Sequence, residues 1–304
     1  MKLSIDFAFD GIEIIRKHPL AVALWGVVLV VIGFATSVLT VLVAGPAIAR
    51  LQGMEQSPPD DPMAVFGSLG ELAPVWLISF IVGMLASAII QCAVFRSQLQ
   101  PEARGLGFMR LGGAEIRQVF VTILWALAFL LFYILFIIVF GIIIAVINGV
   151  LQGGFIGGLI SFVLIVVAFI AFLYVLGRWS LVMAQSYAEQ KIDIFGSLKL
   201  TKGKGWVLLG GYLLLGLVIC AIMFVIYGVL LVLTIGTGSD ILSAMRQMSQ
   251  PDMGSLEILL TPLFIFQTVL SGFLNAGFYA MVNGAALSAY RTLSDKGTKS
   301  VEVF

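Results

Sequence analysis

Apolar residues run through this chain in blocks too long for a soluble core. Residues 18–49, 72–94, 118–177, 206–239 and 258–290 contain no Asp, Glu, Lys or Arg. A helix needs about 20 apolar residues to cross a bilayer, and the third block is long enough for two crossings, so the five blocks hold six spans. They are predicted at about 19–45, 74–95, 119–147, 159–177, 206–235 and 259–290. The third would be ~43 Å long as a helix, against a hydrocarbon core of ~30 Å. It must tilt, kink near Gly141 or project outward. The fold class read from this pattern is all-α: a polytopic membrane bundle of six transmembrane helices, with amphipathic interfacial helices on the cytoplasmic side. Residues 1–304 form a single membrane domain in this reading.

The polar gaps set the orientation. Lys2, Arg16 and Lys17 precede the first span; Arg96, Arg104, Arg110 and Arg117 follow the second. Arg178, Lys191, Lys199, Lys202 and Lys204 follow the fourth, and Arg291, Lys296 and Lys299 follow the sixth. Only Arg50 and Arg246 fall on the opposite side, where Glu55, Asp60, Asp61, Glu71, Asp240, Asp252 and Glu257 sit. Basic loops stay in the cytoplasm, so both termini are expected there. Arg16 and Lys17 before an apolar run, with Ala47-Ile48-Ala49 after it, imitate a signal peptide. The run is longer than a 7–15-residue signal core, so a retained helix is expected. Trp76, Trp179, Trp206 and Tyr290 fall at the expected interfaces, as an aromatic belt would place them.

The connections carry further pattern. Ser57-Pro58-Pro59-Asp60-Asp61-Pro62 reads as irregular chain. Gly149, Gly153 and Gly157 recur every four residues, either as a packing face or, beside Gly154 and Gly158, as the tight turn that is favoured here. Each hairpin is preceded by a short amphipathic stretch: Phe9, Ile12 and Ile15; then Phe108, Leu111 and Ala114; then Phe195 and Leu198. Each is closed by an arginine: Arg96, Arg178 and Arg291. This reads as three copies of interfacial helix, span, span, although any positive-inside protein with amphipathic loops would look similar.

Arg178-Trp179, then Ser197-Leu198-Lys199-Leu200-Thr201-Lys202-Gly203 and Trp206, resembles the R-W, S-x-x-L-T-K-G, W signature of membrane domains found beside some glycerophosphodiester phosphodiesterases. The Phe95–Arg117 connection is similar to a loop in alphaproteobacterial membrane proteins. The resemblance covers about the central third of the chain. It implies a bacterial six-helix inner-membrane family and carries no catalytic residue across, because the phosphodiesterase activity belongs to a separate soluble barrel.

Composition narrows the chemistry. Hydrophobic residues make up 61% and charged residues 11%, with a mean hydropathy of +1.12; soluble domains carry ~25% charge. The two cysteines, Cys92 and Cys220, lie inside spans, and the one histidine, His18, stands at the start of the first. No metal site, cofactor or catalytic residue is expected, and no nucleotide motif occurs. Met245, Met248 and Met253 offer thioethers for Cu(I), but Ile241, Leu242, Met245 and Met248 read better as one face of a short helix capped by Ser239.

The sixth span is the most patterned. Gln267, Ser271, Asn275, Tyr279 and Asn283 recur every four residues, and Gly272, Ala276, Ala280, Gly284 and Ser288 run beside them. The stripe is either the bundle's packing element or a polar path for a ligand. Arg96, Arg178 and Arg291 are candidates for anionic headgroups, or ordinary positive-inside anchors. No span carries an acid, Lys or Arg, which argues against proton-coupled pumping. The leading expectation is a non-enzymatic inner-membrane protein that organises lipid or partner proteins through its basic cytoplasmic face. The alternative is a transporter or channel for a neutral or lipid-like substrate along the polar stripe. Membrane lipids are the expected partners, with a protein partner or a homo-oligomer as further options; no nucleic acid is expected.

Overall fold

The computed structural model describes residues 3–56, 62–102, 105–151, 154–236 and 255–294, with Ile241 and Ser243 between them. The chain is all-α, with no strand among the described residues, and six helices are long and apolar enough to cross a membrane. It is a multi-pass membrane protein. The six are α2 (Pro19–Gln56), α3 (Pro62–Leu99), α4 (Gly113–Val150), α5 (Phe155–Trp179), α8 (Gly205–Gly236) and α9 (Pro262–Leu293). Shorter helices are α1 (Asp10–Lys17), α6 (Val182–Glu189) and α7 (Gly196–Leu200). The irregular segment at 57–61, Arg104, and Met245, Met248 and Met253 lie outside the described residues.

The chain forms two compact units. The first comprises Met1–Glu13, Leu111–Leu215 and Met281–Phe304, the second Ile14–Arg110 and Gly216–Ala280. Helices α8 and α9 contribute to both.

In the second unit α2 packs on α3. Both helices run past the predicted span ends, through Pro46 and Pro74. A proline removes one backbone donor, which a buried membrane helix tolerates when neighbours pack around it. Here Ala44, Ala47, Leu72 and Val75 bury against one another, and Arg50 pairs with Glu71 on the exposed side.

In the first unit α4 packs on α5. The α4 helix is unbroken through Gly141. At its first turns Glu115, Gln118 and Val121 are buried, and α4 packs on α6. Asn148 donates to Ser161 Oγ at 2.7 Å across the tight turn into α5. A ladder of rings follows the hairpin: Phe132 stacks on Phe172, and Trp125 meets Trp179 edge-on.

Of the three connections before the hairpins, the first carries the amphipathic helix α1 with Ile12, Ile15, Arg16 and Lys17, the third carries the short α7, and the second is built differently. At the N-terminus, Phe7 rather than Phe9 turns inward; its ring fills the space beside Gly211 and meets Tyr212 edge-on. Ser288 donates to Asp10. In the second connection no helix spans residues 108–117. Leu106, Gly107 and Phe108 are all left-handed, at φ 45°, 64° and 65°, and α4 starts only after extended Gly112. Left-handed backbone is unfavourable for Leu and Phe. Two hydrogen bonds hold it, from Trp25 Nε1 to Gly107 O at 2.7 Å and from Arg96 to Phe108 O. In the third, Asp193 accepts from the backbone of Phe195 and Gly196 and starts the five-residue α7. The aromatic belt is also partial: Trp76 and Trp206 are exposed, whereas Trp179 and Tyr290 are buried in the protein.

Candidate functional site

The site is built on the first two-thirds of α9. A step of four residues rotates a helix by about 40°, so the polar and small stripes stay side by side along it. Within the second unit the two stripes do different work. Ala276 and Ala280 are fully buried in a core with Ala21, Val22 and Trp25 of α2 and Ile90 of α3. Next to them, a Cβ on Gly272 would lie 2.9 Å from Val30 N and 3.0 Å from Gly26 O. Small residues on α9 thus bring it against the α2 backbone, the usual way helices associate in lipid.

The polar stripe, one residue earlier around the turn, faces a cavity of about 720 Å³. Gln267, Ser271, Asn275 and Tyr279 all line it. The opposite walls come from Leu29, Ile32 and Ser37 of α2, Gly83 and Ala86 of α3, and Met223, Ile226 and Tyr227 of α8. The volume falls inside the range of ~300–1,000 Å³ typical of small-molecule sites. Ser271 and Asn275 are exposed, so the cavity communicates with the protein surface.

The polar groups of the wall are unequally committed. Asn275 Nδ2 donates to Ser271 O at 2.8 Å and to Ser271 Oγ at 3.3 Å, which leaves its carbonyl oxygen for the cavity. Ser37 and Thr268 donate to carbonyls of their own helices, Gly33 O and Phe264 O. The Tyr279 hydroxyl is hydrogen-bonded to Ser87 and ties α9 to α3. The Gln267 amide makes no hydrogen bond to any described residue. The side chain is half-buried, so its donors and acceptor are open to a ligand in the cavity. Among the described residues, no Asp, Glu, Lys, Arg or His lines the cavity.

Asn283, the fifth member of the stripe, is buried in the first unit and does not line the cavity. Sequence reading missed Ser37, Met223 and Tyr227. Their signal is faint, because a hydroxyl or thioether inside a span is ordinarily satisfied by its own helix or by packing.

Of the three arginines, Arg96 belongs to the second unit and Arg178 and Arg291 to the first. Arg96, in the second unit, is buried and donates to Phe108 O. Arg178, in the first, donates to Leu198 O and to Thr201 Oγ1 at 3.4 Å, and lies 6.0 Å from the centre of the Tyr174 ring. Ser197 in turn donates to Arg178 O at 2.6 Å. Arg178 therefore pins the connection that follows α5, assisted by Trp179 Nε1 on Ile194 O at 2.5 Å. Arg291 is partly buried in the last turn of α9. What faces outward after α5 is a group of lysines, Lys191, Lys199 and Lys202, among exposed Ile192, Phe195 and Trp206.

Among the described residues, no three His, Cys, Asp or Glu side chains gather as metal ligands. Comparison of the chain with protein-family models, curated proteins and solved structures finds no match.

Proposed function

We propose that this multi-pass membrane protein is a non-enzymatic carrier of the bacterial cytoplasmic membrane. It takes a neutral, lipid-like solute into the cavity along α9. The observation that supports this reading is the position of Gln267, Ser271, Asn275 and Tyr279 along one cavity wall, next to a small-residue stripe that packs. A helix used only for packing would bury both stripes. Among the described residues the wall has hydroxyls and no carboxylate or imidazole beside them, which suits binding better than nucleophilic chemistry. It also lacks the acid or base that a proton relay uses. The test is transbilayer movement of a fluorescent neutral lipid in proteoliposomes. Movement should be faster than in protein-free vesicles and should fall on Gln267→Leu and Asn275→Leu.

A second reading is favoured by the exposed lysines after α5. In it, the protein organises anionic lipid or a protein partner at its cytoplasmic face. The contacts would then come from Lys191, Lys199 and Lys202, which are exposed, whereas Arg96 is buried and Arg178 part-buried, each donating to a backbone carbonyl. Each exposed cation near an anionic surface contributes about 1 kcal/mol. Loss of anionic-lipid retention when these lysines are neutralised would support it, and unchanged retention would argue against it.

A further inference from the structure

We infer that the cavity selects an amphiphile with an uncharged, hydroxyl-bearing head, of the diacylglycerol class, over the same lipid carrying a phosphate. This rests on the carrier reading and names its substrate class.

Among the described residues, the walls supply no cation to meet a phosphate and no anion to meet an amine. A charged head placed there would lose its hydration with nothing to replace it. The polar atoms present suit a hydroxyl, which both donates and accepts. The Gln267 amide has two N–H donors and one acceptor oxygen, all unused by described residues. Asn275 keeps a free acceptor, because its Nδ2 is spent on Ser271. Gln267 and Asn275 are eight residues apart, about 12 Å along α9 at 1.5 Å per residue. They therefore offer successive stations for one small head rather than a single charged pocket. The remaining wall is mostly apolar, with aliphatic side chains such as Ile226, the adaptable Met223 and the rings of Phe264 and Phe278. The exposure of Ser271 and Asn275 lets a head reach the stripe while its tails stay in the bilayer.

The experiment uses the full chain in phosphatidylcholine nanodiscs and a diazirine-bearing diacylglycerol as photoprobe. Dioleoylglycerol or dioleoyl phosphatidic acid is the competitor, and labelled peptides are located by mass spectrometry. Labelling is expected between Phe264 and Tyr279 and on α8 near Met223. Dioleoylglycerol should compete at least about five-fold better than phosphatidic acid. Gln267→Leu should weaken labelling by about five-fold, the effect of one lost hydrogen bond of ~1 kcal/mol. Ala86→Phe fills the cavity from α3 and should do the same, which covers the case in which Gln267→Leu fails to fold. Equal competition by phosphatidic acid would overturn the uncharged-head assignment and leave the carrier reading standing. Absence of labelling in the cavity segments would overturn both.

Discussion

A Cβ placed on Gly272 of α9 would lie 3.0 Å from the carbonyl oxygen of Gly26 on α2. This close approach fixes which side of α9 faces protein, and so leaves the polar side to the cavity. Gly272→Ala should force α2 and α9 apart. Overpacking of this kind costs about 1–3 kcal/mol. Gly83→Ala, on the α3 wall with nothing within 4 Å of its Cβ, should keep or raise stability, by up to about 1 kcal/mol of helix propensity. Thermal unfolding of the two variants in the same detergent checks this; equal midpoints would contradict it.

The left-handed turn at Leu106, Gly107 and Phe108 depends on Trp25 and Arg96. Trp25→Phe keeps the apolar bulk and removes the donor to Gly107 O. It should lower stability by about 1–3 kcal/mol and speed amide exchange across residues 105–110. Hydrogen exchange followed by mass spectrometry reads both the wild type and the variant. Unchanged protection would show that the turn holds without the indole.

Arg96 and Arg178 should behave as structural residues. Arg96→Gln is expected to lower the unfolding midpoint while leaving retention of anionic lipid, read by native mass spectrometry, as in the wild type. A combined Lys191→Gln, Lys199→Gln and Lys202→Gln variant should do the reverse, with each exposed lysine contributing about 1 kcal/mol. If Arg96→Gln strips anionic lipid and spares stability, the inward role assigned to the guanidinium is wrong.

The Asn148–Ser161 hydrogen bond spans the α4–α5 turn. Hydrogen bonds between membrane helices are worth roughly 0.6–2 kcal/mol, so Asn148→Leu should lower stability by that amount. Unfolding by a mixed-micelle denaturant series measures it directly, and a change near zero would remove this bond from the hairpin's support.

Much of this fold was legible in the sequence because charge is excluded from hydrocarbon whatever the tertiary packing. That rule located all six spans. It could not locate their ends, because α2 and α3 continue through Pro46 and Pro74 past the apolar blocks, where Ala44, Ala47, Leu72 and Val75 pack together. The stripe from Gln267 to Tyr279 was visible as a period of four. Its division of labour with Gly272, Ala276 and Ala280 was not, since which side meets α2 depends on contacts about 250 residues away in the chain. The arginines were read from side-of-membrane statistics, which say where a charge resides and nothing about the carbonyl it binds. The turn at 106–108 was hidden for a related reason: Phe108, Leu111 and Ala114 fit a helical spacing, and only Trp25 and Arg96, both distant or upstream, hold Phe108 in a left-handed conformation.

The most direct test of the carrier reading is the initial rate of transbilayer movement of a fluorescent diacylglycerol analogue in proteoliposomes. Wild-type protein would be compared with the Gln267→Leu, Asn275→Leu double variant at matched incorporation and verified folding. The expected result is movement above the protein-free rate for the wild type. The double variant should fall by about ten-fold or more, as the loss of two hydrogen bonds of ~1 kcal/mol each implies. Wild-type vesicles no faster than protein-free vesicles, or a double variant as fast as wild type, would contradict it.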